Sequence, residues 1–470
     1  MTVDTAKEMV TCPALFLAAP ASGQGKTTVT SALARYFKNQ GKKVRVFKTG
    51  PDYLDPQILQ QASGHFVESL DMWMAGDAWV RQKLFEAAQT SDLILIEGVM
   101  GLFDGEPSSA DLAAKFGIPV ALVMDVKGMA QTVGAVVSGL ANYRDDFKVI
   151  GLIANKCGSQ RHAELLQIGL PKDIPLLATL ARDEDVALPE RHLGLVQASE
   201  VLDELEEKIE TGAKKLAAGG LAQLLEQPPE QEWLKPVPFY APVPGTLENT
   251  EVEPLLEEVS IGIAQDTAFS FIYQSNVRLL QQMGASIKFF SPLFDEKIPS
   301  VDALWLPGGY PELHAQVLSE NISMRESIQK FFMDNKPILA ECGGLLYCLQ
   351  TLSDLDEKEY AMLGILDGQG SMSGKRGCQG MQTAQLPEGD VRAHAHHRSR
   401  CFNTPEPIAF GRRQKHPAPG EAIYRSGSLT ASYLHLFFPS NARAVARLFK
   451  NELTILEDPK VTSEELTNVY

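Results

Sequence analysis

Between Ala14 and about Ala198 the chain alternates short apolar runs with longer stretches of helical periodicity. The runs are Ala14–Ala19, Val44–Lys48, Leu93–Glu97, Val120–Asp125, Val149–Asn155 and Leu176–Leu180. Most carry apolar residues at consecutive positions, the pattern of a strand buried on both faces, as in a parallel sheet covered by helices. This half is therefore predicted to be a doubly wound α/β domain. A second alternation begins at Ile261, with strands predicted at Ser260–Ala264, Ser286–Phe290, Ala303–Leu306 and Pro337–Ala340. Beyond Asp367 the pattern turns glycine-rich and irregular, with a last strand near Ala431–Leu436.

An acidic helix is predicted over 200–225, followed by a proline-rich stretch from Gln227 to Glu258. Proline removes backbone donors and favours extended chain, so this connector reads as a linker. The predicted organisation is a first domain at 12–200, helix and linker at 201–258, a second domain at 259–448, and an acidic tail at 449–470.

The chain has 470 residues and a net charge of −16. Residues 200–258 hold 14 acids against 4 Lys, and 451–470 hold 5 acids against 1 Lys, which leaves the remainder at only −2. An acidic chain argues against nucleic-acid binding, which needs an excess of Lys and Arg. No apolar run approaches the length of a membrane span, and the first one follows Asp4 and Glu8 instead of a basic segment, so no secretory signal is expected. The six cysteines form no CxxC pair. A zinc site or disulfide framework is not expected, and a cytoplasmic location is the simplest reading.

Two constellations carry chemistry. The first is Ala19-Pro20-Ala21-Ser22-Gly23-Gln24-Gly25-Lys26-Thr27-Thr28, which follows a strand and opens a helix. Gly23 and Gly25 let backbone N–H groups face phosphate oxygens, Lys26 reaches the β/γ-phosphates, and Thr27 is placed to bind Mg²⁺. Pro20 stands where the first glycine usually does, so this is a variant P-loop. Lys48–Pro56 and Glu97–Gly105 end the next two strands and bring Lys48, Asp52, Asp55, Glu97 and Asp104 toward the same crevice. Carboxylates beside a triphosphate are costly unless they hold a cation. Some of these acids are therefore expected to hold Mg²⁺, and Gly23, Gly25, Lys26, Thr27, Thr28 and Asn155 to face the nucleotide. Asn155 reads almost equally well as a strand cap.

The second is Ile338-Leu339-Ala340-Glu341-Cys342-Gly343-Gly344, read as strand, tight turn and helix. A thiol at such an elbow sits at a helix N-terminus, where the dipole favours thiolate. His435 is the candidate base, and the turn Leu306–Glu312, through Gly308 and Gly309, is the candidate oxyanion hole. Cys348 is expected to pack in the core.

Together these segments, with Ala187–Gly194, resemble the cobyrinate a,c-diamide synthase family, over nearly the whole chain from Leu15 to about Val445. The resemblance implies a dethiobiotin-synthetase-like P-loop domain with a parallel sheet, followed by a class I glutamine amidotransferase domain with a flavodoxin-like fold. It implies that Cys342 attacks glutamine to release ammonia, that ATP with Mg²⁺ phosphorylates a peripheral carboxylate of the corrin ring, and that ammonia displaces the phosphate. It also implies Thr27, Asp52 and Glu97 for the metal and Lys48, Tyr53, Leu54, Asp55 and Asp104 for substrate and phosphoryl transfer. The partners implied are small molecules only (a tetrapyrrole, glutamine and ATP), with no membrane, and the protein is a monomer or homodimer. Two departures stand out. Phe437 occupies the position, two after the histidine, where many glutamine amidotransferases carry Glu; and Ala393-His394-Ala395-His396-His397-Arg398-Ser399 replaces the usual Gly and Phe by Ala393 and His396. The competing readings are amidation of sirohaem, which would use the same motifs, and a non-catalytic P-loop scaffold, which predicts loss of Cys342 or Lys26; both residues are present.

Overall fold

The computed structural model describes residues 8–188, 190–191, 194–195, 201–226, 235–243, 253–372 and 377–450. They divide into two compact units, one within 1–251 together with Ser270–Arg278, the other within 252–269 together with 279–470.

The first unit is built on β1 (Met9–Ala18), β2 (Val44–Lys48), β3 (Glu68–Ser69), β4 (Leu93–Glu97), β5 (Val120–Asp125), β6 (Val149–Cys157) and β7 (Leu176–Ala181). They lie in the order β3-β2-β4-β1-β5-β6-β7, and every adjacent pair is parallel. Successive side chains of β1 serve opposite faces: Ala14, Phe16 and Ala18 join one core cluster, Leu15 and Leu17 the other. β4 and β5 divide in the same way, with Ile94, Ile96, Val120 and Leu122 on one side and Leu93, Leu95, Ala121 and Val123 on the other. The consecutive apolar runs are thus explained by a sheet covered on both faces.

The predicted linker needs correction where it is described. Helix Leu202–Leu216 is part of the first unit, with Leu205, Ile209 and Leu216 buried in the second cluster. Glu206 on its outer side forms a bidentate ion pair with the buried Arg35. Beyond it, Gly219 passes so close to the Thr179 carbonyl that a Cβ would lie 1.9 Å from its oxygen. Strand Pro236–Tyr240 pairs antiparallel with Met9–Pro13 of β1. Its alternation buries Val237 and Phe239 and leaves Pro236, Pro238 and Tyr240 exposed. Proline is tolerated on such an edge because no further strand needs its missing N–H. Residues 227–234 and 244–252, and the tail from Asn451, lie outside the described residues.

The second unit holds five parallel strands, in the order Ser286–Phe290, Ser260–Ala264, Ala303–Leu306, Ile338–Glu341 and Leu429–Ser432. The sheet continues antiparallel through Ala422–Ser426, Ala409–Arg413, Gly380–Leu386 and Gly389–Ala395 to the short His435–Leu436. The stretch after Asp367 is therefore mostly β-structure; glycine turns separate strands too short to show a clear period. The single strand expected near Ala431–Leu436 is two: Leu429–Ser432 pairs with Ile338–Glu341, and His435–Leu436 pairs with Gly389–Ala395. No helix among the described residues is long and apolar enough to cross a membrane.

If helix Leu202–Leu216 is part of the first core, Ile209→Ala in the full chain should destabilise it by about 2–5 kcal/mol, the usual cost of such a cavity. A solvated linker would leave denaturant unfolding within about 0.5 kcal/mol of wild type.

Candidate active site

In the first unit, β1 ends in the phosphate loop and α1 (Lys26–Asn39) begins immediately after Gly25. Gly25 has φ 82°, and a Cβ there would lie 2.0 Å from Asn155 Nδ2. Both the left-handed turn and the neighbour therefore demand glycine. Asn155 Nδ2 donates to the Gln24 carbonyl at 3.0 Å, so this residue braces the loop from the end of β6. Its amide is committed to protein, which favours the bracing role over contact with a base. One cavity of about 690 Å³ is lined by Gly23, Gly25, Lys26, Thr27, Thr28, Lys48, Asp52, Asp55, Glu97 and Asn155. The structure thus gathers most of the predicted residues in one place, at the carboxyl ends of β1, β2, β4 and β6.

The centre of this cavity is electrostatic. Lys48, 2% exposed, has its Nζ 2.6 Å from Asp52 and 3.9 Å from both Asp55 and Glu97. Burial pushes its pKa down, but Asp52, Glu97 and Asp55 together hold it above the ordinary lysine value. Burial, with Asp52 next to it, pushes Asp55 up to about 8, and burial also raises Glu97. Lys26 is lowered by burial and then by Lys48, and its Nζ donates to the Met100 carbonyl at 2.6 Å. Met100 itself holds a left-handed φ of 50°. No motif signals that carbonyl, because any residue supplies one; the fold alone reveals it.

Thr27 Oγ1 donates toward Glu97 Oε1 at 2.9 Å and lies 3.2 Å from Asp55 Oδ1. The hydroxyl therefore groups with Asp55 and Glu97, whereas the predicted metal ligand Asp52 pairs with Lys48. Asp104 does not line the cavity: it is exposed, and its Oδ2 accepts the Gly101 N–H at 3.0 Å, closing its own turn. Tyr53 and Leu54 stand at the start of α2 (Leu54–Ser63). The Tyr53 ring stacks on Phe271 at 4.9 Å, and its hydroxyl lies 2.8 Å from that of Tyr273. Of Ala187–Gly194, residues Pro189, His192 and Leu193 lie outside the described residues.

In the second unit, Cys342 follows strand Ile338–Glu341 with φ 49° and ψ −102°. That conformation costs a non-glycine residue on the order of 1–3 kcal/mol and persists only where its surroundings impose it. Here the Cys342 N–H donates to the Ser432 carbonyl at 2.8 Å. The turn carrying Gly308 and Gly309 packs against the elbow: a Cβ on Gly343 would lie 3.0 Å from Gly309 N. On Gly308 a Cβ would lie 2.2 Å from His435 Cε1. The thiol's elbow, the glycine turn and the imidazole thus converge. Cys348 is fully buried.

The expected thiolate does not follow. Burial, and then Glu312, raises the Cys342 thiol above its ordinary value, and helix Gly343–Cys348 is too short to offset it. Burial and the neighbouring His394, His397 and His396 push His435 well below the ordinary imidazole value. Both shifts favour a neutral thiol beside a neutral base. His397 is buried, stacked on Tyr433 at 3.6 Å, with Nδ1 3.0 Å from the Ser399 carbonyl and Nε2 2.9 Å from Glu421 Oε1. Its two nitrogens thus serve the surrounding network.

A family model described as the CobQ/CobB/MinD/ParA nucleotide binding domain matches residues 15–196, and one described as the CobB/CobQ-like glutamine amidotransferase domain matches 260–443. Hydrogenobyrinate a,c-diamide synthase of Stutzerimonas stutzeri (strain A1501) is 49% identical, covering 93% of this chain and 99% of the relative. The protein of the same name from Pseudomonas aeruginosa is 48% identical, covering 93% and 97%. Cobyrinate a,c-diamide synthase of Herminiimonas arsenicoxydans is 46% identical, covering 92% and 95%.

Gly25→Ala should force Asn155 and the loop apart and weaken nucleotide binding at least about tenfold, a loss of about 1.4 kcal/mol, in a calorimetric titration. An unchanged affinity would contradict the role given to that turn.

Proposed function

The chain belongs to the cobyrinate and hydrogenobyrinate a,c-diamide synthase family, and from that membership we propose that it uses ATP and glutamine to convert the a- and c-acetate carboxylates of a corrin precursor into amides. The observation that carries this reading is the presence in one chain of two different strand-end sites. One is a phosphate loop facing a lysine–carboxylate cluster; the other is a strained cysteine elbow with an imidazole against a glycine turn.

A carboxylate resists attack by ammonia, and phosphorylation gives it a leaving group. The loop backbone and Lys26 bind the nucleotide phosphates, Lys26 leaving the Met100 carbonyl to do so. Lys48, at the end of β2, would offset the charge gathered where the acceptor carboxylate meets the γ-phosphoryl group. Mg²⁺ fits this cavity. Glu97 Oε2 is buried and has no hydrogen-bond partner, and three carboxylates face one buried ammonium. No cluster of three metal-ligating His, Cys, Asp or Glu side chains occurs among the described residues. Thr27, Asp55 and Glu97 would hold Mg²⁺, and when bound it supplies further neutralisation of the transferred phosphoryl group.

At the second site Cys342 Sγ attacks the side-chain carbonyl of glutamine while His435 takes the thiol proton. The neutral resting pair makes this proton transfer part of the attack instead of a step before it. The N–H groups of the Gly308–Gly309 turn stabilise the oxyanion, and His435 returns the proton to departing ammonia. Water then releases glutamate from the thioester. ATP, magnesium and small-molecule substrates are the partners of this reading, and a cytoplasmic location goes with them.

Incubation with ATP, Mg²⁺, glutamine and, separately, hydrogenobyrinic acid, cobyrinic acid and sirohaem, followed by mass spectrometry, tests the substrate. The corrin precursors should show two successive replacements of hydroxyl by amino group. Turnover of sirohaem alone would overturn the assignment. Cys342→Ser should abolish glutamine-dependent amidation while ammonium salts still support it; loss of both would contradict the division into two sites.

A further inference from the structure

A base that activates a nucleophile needs a group that fixes its own position. Phe437, two residues after His435, carries no polar atom to do this. The structure offers another anchor on the elbow itself. Glu341, immediately before Cys342, is 2% exposed. Its Oε1 accepts the Leu436 N–H at 3.0 Å, and its Oε2 accepts the Trp305 indole N–H at 3.1 Å. Trp305 is fully buried, on the strand that leads into the Gly308–Gly309 turn, and packs on Phe438 at 4.7 Å. One carboxyl group thus joins three strand ends: that of the nucleophile, that of the oxyanion turn and that of the base.

We propose that Glu341 is the positioning residue of the glutamine site, holding the His435–Leu436 backbone and the Trp305 strand in register with Cys342. The proposal rests on the reading of Cys342 and His435 as nucleophile and base. A buried carboxyl group is a costly choice for packing alone, and burial pushes Glu341 up to about 8. What only a carboxyl group provides here is an acceptor on each oxygen, facing two donors that point at it from different strands. Leu436 is the residue after His435, so a displaced Leu436 N–H moves the ring directly. His435 Cε1 lies 2.2 Å from where a Cβ on Gly308 would stand, so a shift of the ring changes its fit against the turn.

Glu341→Gln keeps the size but one acceptor only, so one of the two N–H donors must face an amide NH₂. Glutamine-dependent kcat should fall at least about tenfold with little change in glutamine KM, the pattern of an interaction that matters in the transition state. Ammonia-dependent amidation should persist in the same preparation. Trp305→Phe removes one donor, so the double variant W305F/E341Q should recover much of the loss, because its single acceptor then meets a single donor. Wild-type glutamine kcat in E341Q, or a double variant no better than E341Q, would overturn the proposal. Should E341Q lose ammonia-dependent turnover as well, W305F/E341Q decides: recovery of glutamine-dependent turnover supports the anchor, and continued loss overturns it. Cys342→Ser and His435→Ala are assayed alongside. Glutamine-dependent turnover in either would sink the nucleophile–base reading itself, whereas their inactivity beside a normal E341Q would sink only the anchor.

Discussion

The chemistry of the first unit depends on one buried ammonium group. Lys48 leaves the end of β2 with Asp52, Asp55 and Glu97 around it, and neither Lys48 nor Glu97, the two buried members, is cheap to bury alone. Three carboxyl groups face one lysine, and burial raises both Asp55 and Glu97, so the cluster favours further positive charge. In the proposed reaction Lys26, and a divalent cation when one is bound, would answer that imbalance from the nucleotide side. The parallel sheet makes this possible, because strands running the same way bring their carboxyl ends to one edge. The loop after β1, the lysine after β2 and the glutamate ending β4 therefore reach one cavity from segments far apart in sequence.

The second unit solves a related problem without charge. Its strand ends converge as well, but the constraint is space: the Gly308 turn admits the His435 ring only because no Cβ stands there. Cys342 accepts a backbone angle that most residues avoid. Neutral groups held close together replace the charged ones of the first site. That fits a reaction whose substrate is a neutral amide, just as the lysine cluster fits one in which anions must meet.

Much of this could be read from residue order. The apolar runs from β2, β4 and β5 matched the observed strands to the residue, because doubly covered strands show as unbroken apolar segments. The phosphate loop and the cysteine elbow were visible because each needs glycines at fixed places between a strand and a helix. The connector reads as a linker because proline dominates its composition, while the alternation that buries Val237 and Phe239 spans only a few residues. The strand near His435 was read as continuous because its break at Tyr433-Leu434 involves apolar residues that would suit a strand. Asp52 and Asp55 differ by less than one helical turn, so spacing could not tell which pairs with Lys48 and which with Thr27. Glu341 carried no signal at all: its partners are an indole and a main-chain N–H, which only the folded register brings together.

In the proposed reaction ATP activates the acceptor carboxylate as an acyl phosphate in the Lys48 cavity before ammonia attacks. A corrin precursor whose acetate carboxylates carry oxygen-18, turned over with glutamine and ATP, tests it most directly. The account predicts one labelled oxygen in the inorganic phosphate for every amide formed. Unlabelled phosphate alongside amidated product would contradict it.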